Sequence, residues 1–264
     1  MLDSHEHFTS VAPDYRRLRT TDEEPIKAIH NALDGVPKLV VADIGCGTGR
    51  YSQLLYEYLG PGTRMFCVDA TRAMLDELGA AIHPDTLPNF VPIQARASAL
   101  PFGDNTMDVI TSFNAIHHFD LAGFLTDASR VLKEDGNVFL YTRLREQNAK
   151  TIWGRFFPNF CEMETRLYTR SELLDYINRH FQPARLFVTP FSFYRQASLE
   201  ALLEQAKGRH YSTFSLYDQD EFDCALREFE RGIREAYSDP YTVGWTESYT
   251  LLSLAGQDQG NSDG

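Results

Sequence analysis

The 264-residue chain is poor in cysteine: it has four, at Cys46, Cys67, Cys161 and Cys224, scattered along its length. No two of them have the spacing of a metal-binding pair, and so few do not make a disulfide scaffold. A reducing, cytoplasmic setting is the expectation. No apolar run approaches the length needed to cross a bilayer. Met1 to His7 is polar and acidic, without the apolar core of a signal sequence. His5-Glu6-His7 lacks the helical spacing of a metal site, so no metal is expected. Runs of Lys or Arg are missing as well: 25 basic residues stand against 37 acidic ones, for a formal net charge of −12. A field of that sign opposes approach to nucleic acid or to an anionic membrane. There is no internal repeat.

What is present suffices for a globular core, with 43% apolar and 12% aromatic residues. Residues 1–24 read as a loose polar arm with one helical turn. Residues 25–34 read as a helix with Pro25 in its first turn. Strand and helix patterns then alternate. Strands are expected at 38–43, 65–69, 90–95, 107–113 and 137–142, with helices at 48–59, 71–82 (Thr71 as N-cap) and 121–132. The second half is less regular, with a helix at 169–180 and strands at 184–193 and 245–254. Roughly fifty residues separate these last two strands, more than a plain connection needs, and carry helical patterns at about 197–207 and 218–237. The alternation predicts an α/β, doubly wound, seven-stranded and mostly parallel sheet, Rossmann-like, with a helical insertion between the last two strands. Its expected parts are an N-terminal arm and helix (1–35), a main domain (36–255) containing the insertion (194–243), and a disordered tail (256–264).

The stretch from Val40 to Arg50 carries the chemistry. A β-branched run ends in Asp43 and turns through Gly45, Gly47 and Gly49 into a helical pattern. Glycine accepts positive φ and lets backbone approach a ligand closely, and the helix that follows begins with unpaired amides. A P-loop would need Gly-x-x-x-x-Gly-Lys-Ser/Thr, but here Arg50 follows Gly49 and no Lys-Ser/Thr pair is present. A dinucleotide fold would need Gly-x-Gly-x-x-Gly. The tighter Gly-x-Gly-x-Gly leaves less room for a pyrophosphate, and a carboxylate at Asp43 suits an amine rather than a phosphate. About twenty residues on, at the end of the second strand, Asp69 stands where an acid can take both ribose hydroxyls. Amine plus ribose without phosphate describes S-adenosyl-L-methionine.

The segments VADIGCGTGR, FCVDATRAML, ARASALPFGDNTMDVI and SFNAIHHF resemble, in order, the motifs of class I S-adenosylmethionine-dependent methyltransferases. They are most similar to the small-molecule branch related to the ubiquinone/menaquinone-biosynthesis methyltransferases. The resemblance is strong over residues 36–145 and weak elsewhere. It implies transfer of a methyl group to a small-molecule acceptor, with S-adenosyl-L-homocysteine as product. By this resemblance Gly45, Gly47 and Gly49 shape the turn beside the methionine moiety, Asp43 reaches its ammonium, and Asp69 grips the ribose. Ala70, Thr71 and Met74 line the adenine pocket, Ala97 and Ser98 meet the adenine edge, and Asn114 and Ala115 lie beside the sulfonium. Cys46 fills a small slot in the glycine turn.

One departure is Arg96, where many relatives carry an Asp that bonds the adenine amino group. Arginine cannot accept that hydrogen bond, which leaves backbone groups of Ala97, the Ser98 hydroxyl or stacking on the guanidinium. His118 matches a histidine near the acceptor in related enzymes. It is the candidate base, with His117 second, and packing or helix capping is the competing role. The segment from Phe8 to Tyr15 resembles one that folds over the cofactor, so that Tyr15 faces the sulfonium and Arg19 reaches the methionine carboxylate. Aromatics at Trp153, Phe156, Phe157, Phe160, Phe191, Phe193, Tyr194, His210, Tyr211 and Phe214 either wall an acceptor pocket or fill a core. Arg143 and Arg195 either anchor an acceptor carboxylate or form surface ion pairs. Two other readings stay open: a cofactor-binding protein without methyl transfer, and a methyltransferase acting on RNA or protein.

Overall fold

A near-continuous apolar run, as in Val40–Ile44, suits a strand covered on both faces, which is how parallel sheets are built. A computed structural model of the chain describes residues 4–33 and 35–256; of the expected 256–264 tail, all but Gly256 lies outside them. In chain order the elements are α1 (Ser4–Leu18), α2 (Glu24–Leu33), β1 (Val40–Ile44), α3 (Arg50–Leu59), β2 (Arg64–Asp69), α4 (Arg72–Ala81) and β3 (Phe90–Gln94). There follow β4 (Met107–Phe113), α5 (Leu121–Val131), β5 (Leu132–Thr142), α6 (Arg145–Asn148), α7 (Ile152–Phe156), α8 (Phe160–Met163) and α9 (Arg170–His180). The last are β6 (Arg185–Ala197), α10 (Leu199–Lys207), α11 (Gln219–Ala236) and β7 (Val243–Ala255).

The seven strands form one sheet in the order β3-β2-β1-β4-β5-β7-β6. The pairs joining β1 to β5 and β3 are parallel, and β7 runs antiparallel beside β5, with Asn137 opposite Ala255 and Thr142 opposite Thr250. The chain winds outward from β1 through β2 to β3 and then returns to place β4 on the other side of β1. Such a reversal opens a crevice at the carboxyl ends of the strands, where ligands bind in open α/β sheets. The doubly wound expectation holds.

The chain divides into two compact units. The sheet unit comprises residues 21–142, 170–189 and the chain from Thr250; the helical unit comprises residues up to Thr20, 143–169 and 190–249. The expected 1–35 segment is thereby split, with α1 in the helical unit and α2 in the sheet unit. In the sheet unit α2 packs on α3 and α5 on α9, and Asp120 caps α5 by accepting the Gly123 amide at 3.2 Å. In the helical unit Phe222, Ala225, Phe229 and Ile233 recur at helical spacing on α11 and are buried. Asp218 and Glu221 begin that helix with a reciprocal capping box.

Several sequence expectations differ from the structure, strand β6 among them, which runs on to Ala197. Residues 4–18 form a 15-residue helix rather than an arm with one turn. Its stripe runs through Phe8, Val11, Ala12, Tyr15 and Leu18, and the internal Pro13 disguised it. Strand β5 begins at Leu132, five residues early: Leu132 pairs with Met107 and Asn137 with Val109, so the polar stretch between them is a bulge and not a turn. Thr71 stands at the N-cap of α4, but its side chain makes no capping hydrogen bond.

Candidate functional site

The glycine turn links β1 to α3 in the sheet unit, at the crevice. Gly45, Gly47 and Gly49 have φ of +69°, +55° and +73°, a region that costs other L-residues about 1–2 kcal/mol. At Gly45 a Cβ would also lie 2.6 Å from the Ala115 Cβ and 2.8 Å from the Phe119 ring. The turn after β1 therefore touches the turn after β4, and only a glycine permits that approach. Gly45 and Cys46 both donate their amides to the Val68 carbonyl, at 2.8 and 3.1 Å, tying the turn to β2.

Asp69 at the end of β2 joins two loops. Its Oδ2 accepts the Gly47 amide at 2.9 Å and its Oδ1 accepts the Thr71 amide at 2.8 Å. These two amides fix the orientation of the carboxylate between the loops. Beside it Ala70 is half-buried and Met74 buried, and the Ala70 carbonyl accepts from the Gln94 amide nitrogen at 3.1 Å. The set has the form a ribose calls for: an acceptor held by backbone, beside a floor of small and apolar groups.

Asp43 lies deeper, 1% exposed. Its Oδ2 accepts the Ser52 hydroxyl at 2.5 Å and its Oδ1 the Thr111 hydroxyl at 2.9 Å. Burial raises its pKa to about 7; the two hydroxyls oppose the rise and nearby Asp69 adds to it. Ser52 and Thr111 are functional neighbours that sequence reasoning missed. Their signal was faint: Ser52 lies one turn beyond the last glycine, and Thr111 sits opposite Asp43 only through the β1–β4 register. Burial, with Cys67 beside it, pushes the Cys46 thiol above its usual range, so the thiol keeps its proton at neutral pH.

The turn after β4 completes this side. Asn114 adopts φ +54°, and its amide donates to the Tyr141 carbonyl at 2.7 Å. Ala115 is buried against Gly45. His117 and His118 occupy a single 3-10 turn with ring centroids 4.1 Å apart, both half-buried. Arg96 is exposed, while Ala97 and Ser98 are half-buried. A Cβ on Gly123 would meet the Ser98 Cβ at 2.7 Å, so Ser98 rests against the start of α5. From α5, Asp127 accepts the Leu100 amide at 2.5 Å, and Arg130 donates to the Leu100 and Phe102 carbonyls. That clamp, also missed from sequence, fixes the loop after β3.

Tyr15 and Arg19 belong to the helical unit. The Arg19 guanidinium carbon lies 4.5 Å from the Tyr211 ring centroid and 5.6 Å from that of Tyr15. Arg143 is not at the surface but 6% exposed, as is Glu247. Trp153, Phe157, Phe160 and Phe214 fill this unit's core, with Trp153 stacked on Phe229 at 4.8 Å. For these four residues core packing is the role observed. Among the described residues no group of His, Cys, Asp and Glu could hold a metal ion, and no helix is long and apolar enough to cross a membrane.

Residues 42–140 match the family model described as "Methyltransferase domain". The chain is similar to the uncharacterized methyltransferase YcgJ of Bacillus subtilis, 34% identical over 105 residues, covering 38% of this chain and 39% of the relative. It is also similar to the demethylmenaquinone methyltransferase of Lactococcus lactis, 27% identical over 139 residues, covering 50% and 55%. The chain thus spans between 39% and 55% of the length of these curated relatives. Among solved structures it resembles an Anabaena variabilis protein from an antibiotic biosynthesis pathway, provisionally named a methyltransferase. The TM-score is 0.68 with 22% identity over 90% of this chain and 99% of that one, a likeness of fold. With the glycine turn and the two acids that flank it, these likenesses converge: residues 42–140 resemble the S-adenosylmethionine-dependent methyltransferase domains of class I, those of quinone biosynthesis among them.

Proposed function

We propose that the chain transfers a methyl group from S-adenosyl-L-methionine to a small-molecule acceptor. The single observation that carries this reading is Asp69, held by the Gly47 and Thr71 amides with its carboxylate presented beside the glycine turn. When bound, the cofactor supplies a methyl group already activated on a sulfonium. The chain's own task is to position and to exclude water, and a well-held pair of reactants can gain most of the rate in this way.

In this reading Asp69 accepts the ribose hydroxyls and Asp43 supplies negative charge toward the ammonium. Gly45, Cys46, Gly47 and Gly49 give the methionine moiety backbone contact. Ala70, Thr71, Met74, Ala97 and Ser98 line the adenine, with Arg96 at its rim. Asn114 and Ala115 flank the sulfonium. His118 takes the proton of an acceptor that must lose one, and His117 supports it. The small-molecule acceptor is supported by the names of two similar proteins, which point to a demethylmenaquinone and to an antibiotic pathway. The net charge of −12 speaks against RNA. Four cysteines outside disulfides suit a cytoplasmic setting.

Calorimetry with S-adenosyl-L-homocysteine tests the assignment: micromolar uptake is expected, weakened at least tenfold by Asp69→Asn. Tight binding of a nicotinamide dinucleotide or a nucleoside triphosphate, with no uptake of the homocysteine compound, would overturn it. His118→Gln should lower turnover by about 10²–10⁴-fold for a phenol or carbon acid and leave cofactor affinity unchanged.

A further inference from the structure

In the sheet unit, the loop that leaves β3 brings a cation to the neighbourhood of Asp69. Strand β3 runs parallel to β2 with Gln94 opposite Asp69. The Gln94 side-chain amide donates to the Ala70 carbonyl at 3.1 Å, and the Ala95 amide donates to the Asp69 carbonyl at 3.1 Å. The next residue is Arg96. Its backbone is fixed from the far side too. The Arg96 carbonyl accepts the Ala99 amide at 3.1 Å, Asp127 holds the Leu100 amide, and Arg130 donates to the Leu100 and Phe102 carbonyls at 3.1 and 2.8 Å. Arg96 therefore springs from a braced loop, one residue from the main chain of Asp69.

That bracing does not involve the Arg96 side chain. It is exposed, and among the described residues its guanidinium makes no hydrogen bond, ion pair or ring contact. The acids of the same loop and of α5 are engaged elsewhere. Asp104 and Asp127 pair with Arg130, and Asp120 accepts the Gly123 amide. A base whose ribose sits on Asp69 thus meets a cation with five N–H donors and no acceptor. The two common kinds of purine answer that cation differently. On the edge that carries N7, adenine presents one acceptor and one amino donor. A 6-oxopurine presents two acceptors there, O6 and N7, and a guanidinium matches that pair with two parallel hydrogen bonds. Against adenine the same fork gains one bond and opposes its second donor to the amino group.

We propose that Arg96 sets base specificity at the nucleoside end of the site. Its guanidinium donates to acceptor atoms of the purine, and the site takes a hypoxanthine nucleoside at least as well as the adenine one. This assignment rests on the methyltransferase reading above, with Asp69 on the ribose.

Calorimetry on the full chain compares S-adenosyl-L-homocysteine with S-inosyl-L-homocysteine, the same molecule with a 6-oxo group in place of the 6-amino group. The inosyl compound should bind at least as tightly. Arg96→Ala should weaken the inosyl compound at least tenfold and the adenosyl compound less than threefold. Arg96→Asp, which replaces donors with acceptors, should reverse the preference to at least tenfold in favour of the adenosyl compound. Arg96→Lys, a point charge without the fork, should retain part of the inosyl affinity. Because the side chain is exposed, melting temperature should be the same in all three variants. An inosyl compound bound more than threefold weaker than the adenosyl one by the unmodified chain would overturn the proposal. So would a ratio of the two affinities that Arg96→Ala and Arg96→Asp leave unchanged. In either case, uptake of the adenosyl compound leaves the methyltransferase reading standing. Uptake of neither compound brings down that reading, and this assignment with it.

Discussion

In the sheet unit Asp69 receives two backbone amides from the glycine turn and the head of α4. In the helical unit Glu247 receives side chains from β6, β7 and two loops. The first carboxylate is oriented by main chain. The second is held by side chains, two guanidiniums in ion pairs and two phenols that donate hydrogen bonds. Backbone-held groups depend on φ angles and close approaches, so they tolerate side-chain change and not a misplaced Cβ. Side-chain-held groups have the opposite sensitivity, because each partner is a separate long residue whose removal strands the others.

The largest effect should come from breaking the side-chain-held set. Glu247→Ala leaves Arg143 buried beside Arg195 without their shared carboxylate, and loss of one member of a buried pair costs about 3–5 kcal/mol. Thermal unfolding should show it, while affinity for S-adenosyl-L-homocysteine in the cold stays within threefold. Next comes Gly45→Ala. Left-handed backbone costs about 1–2 kcal/mol, and overlap with Ala115 adds about 1–3 kcal/mol. Here both the melting temperature and the cofactor affinity should fall, and a variant that melts lower but binds normally would break the contrast between the regions.

Asp69→Asn replaces one acceptor with a donor facing an amide. A lost charge-assisted hydrogen bond is worth about 1.5–3 kcal/mol, so calorimetry should read an affinity drop of roughly 10- to 100-fold. The smallest effect is a pH slope. Burial holds the Asp43 pKa near 7, above its unfolded value of 3.8. The folded chain keeps that proton through a window where the unfolded chain has lost it. Its contribution to stability is therefore full below the unfolded value and falls by about 1.4 kcal/mol per pH unit from there up to about pH 7. Cofactor uptake, which calls for the ionised form, should weaken up to tenfold per unit as pH drops below 7. Asp43→Asn should flatten both profiles, and Thr111→Val should move their midpoint upward.

Legibility from sequence follows the same division. Strand β4 falls on the expected residues, and Gly45, Gly47, Gly49, Asp43 and Asp69 are found together, because local backbone rules and a short motif encode them. Thr111 escaped notice because it meets Asp43 only through strand register, and Ser52 because it reaches Asp43 from the first turn of α3 without a motif of its own. Arg143, Arg195 and Tyr211 stand out in the sequence, but Glu247, which they surround, escaped because no periodicity links it to them. Helix α1 was hidden by its proline, and the start of β5 by a Lys-Glu-Asp-Gly run that bulges where such residues usually turn.

The buried Asp22 accepts the Tyr141 hydroxyl at 3.0 Å, and its own amide donates to the Tyr51 hydroxyl at 3.2 Å. Tyr51 in turn stacks on Phe113 at 4.5 Å. That one residue just outside α2 thus anchors the phenols of α3 and β5. Trimming the chain from its amino end should be tolerated by the sheet only as far as Thr21; one step further and two interior hydroxyls lose their common tether.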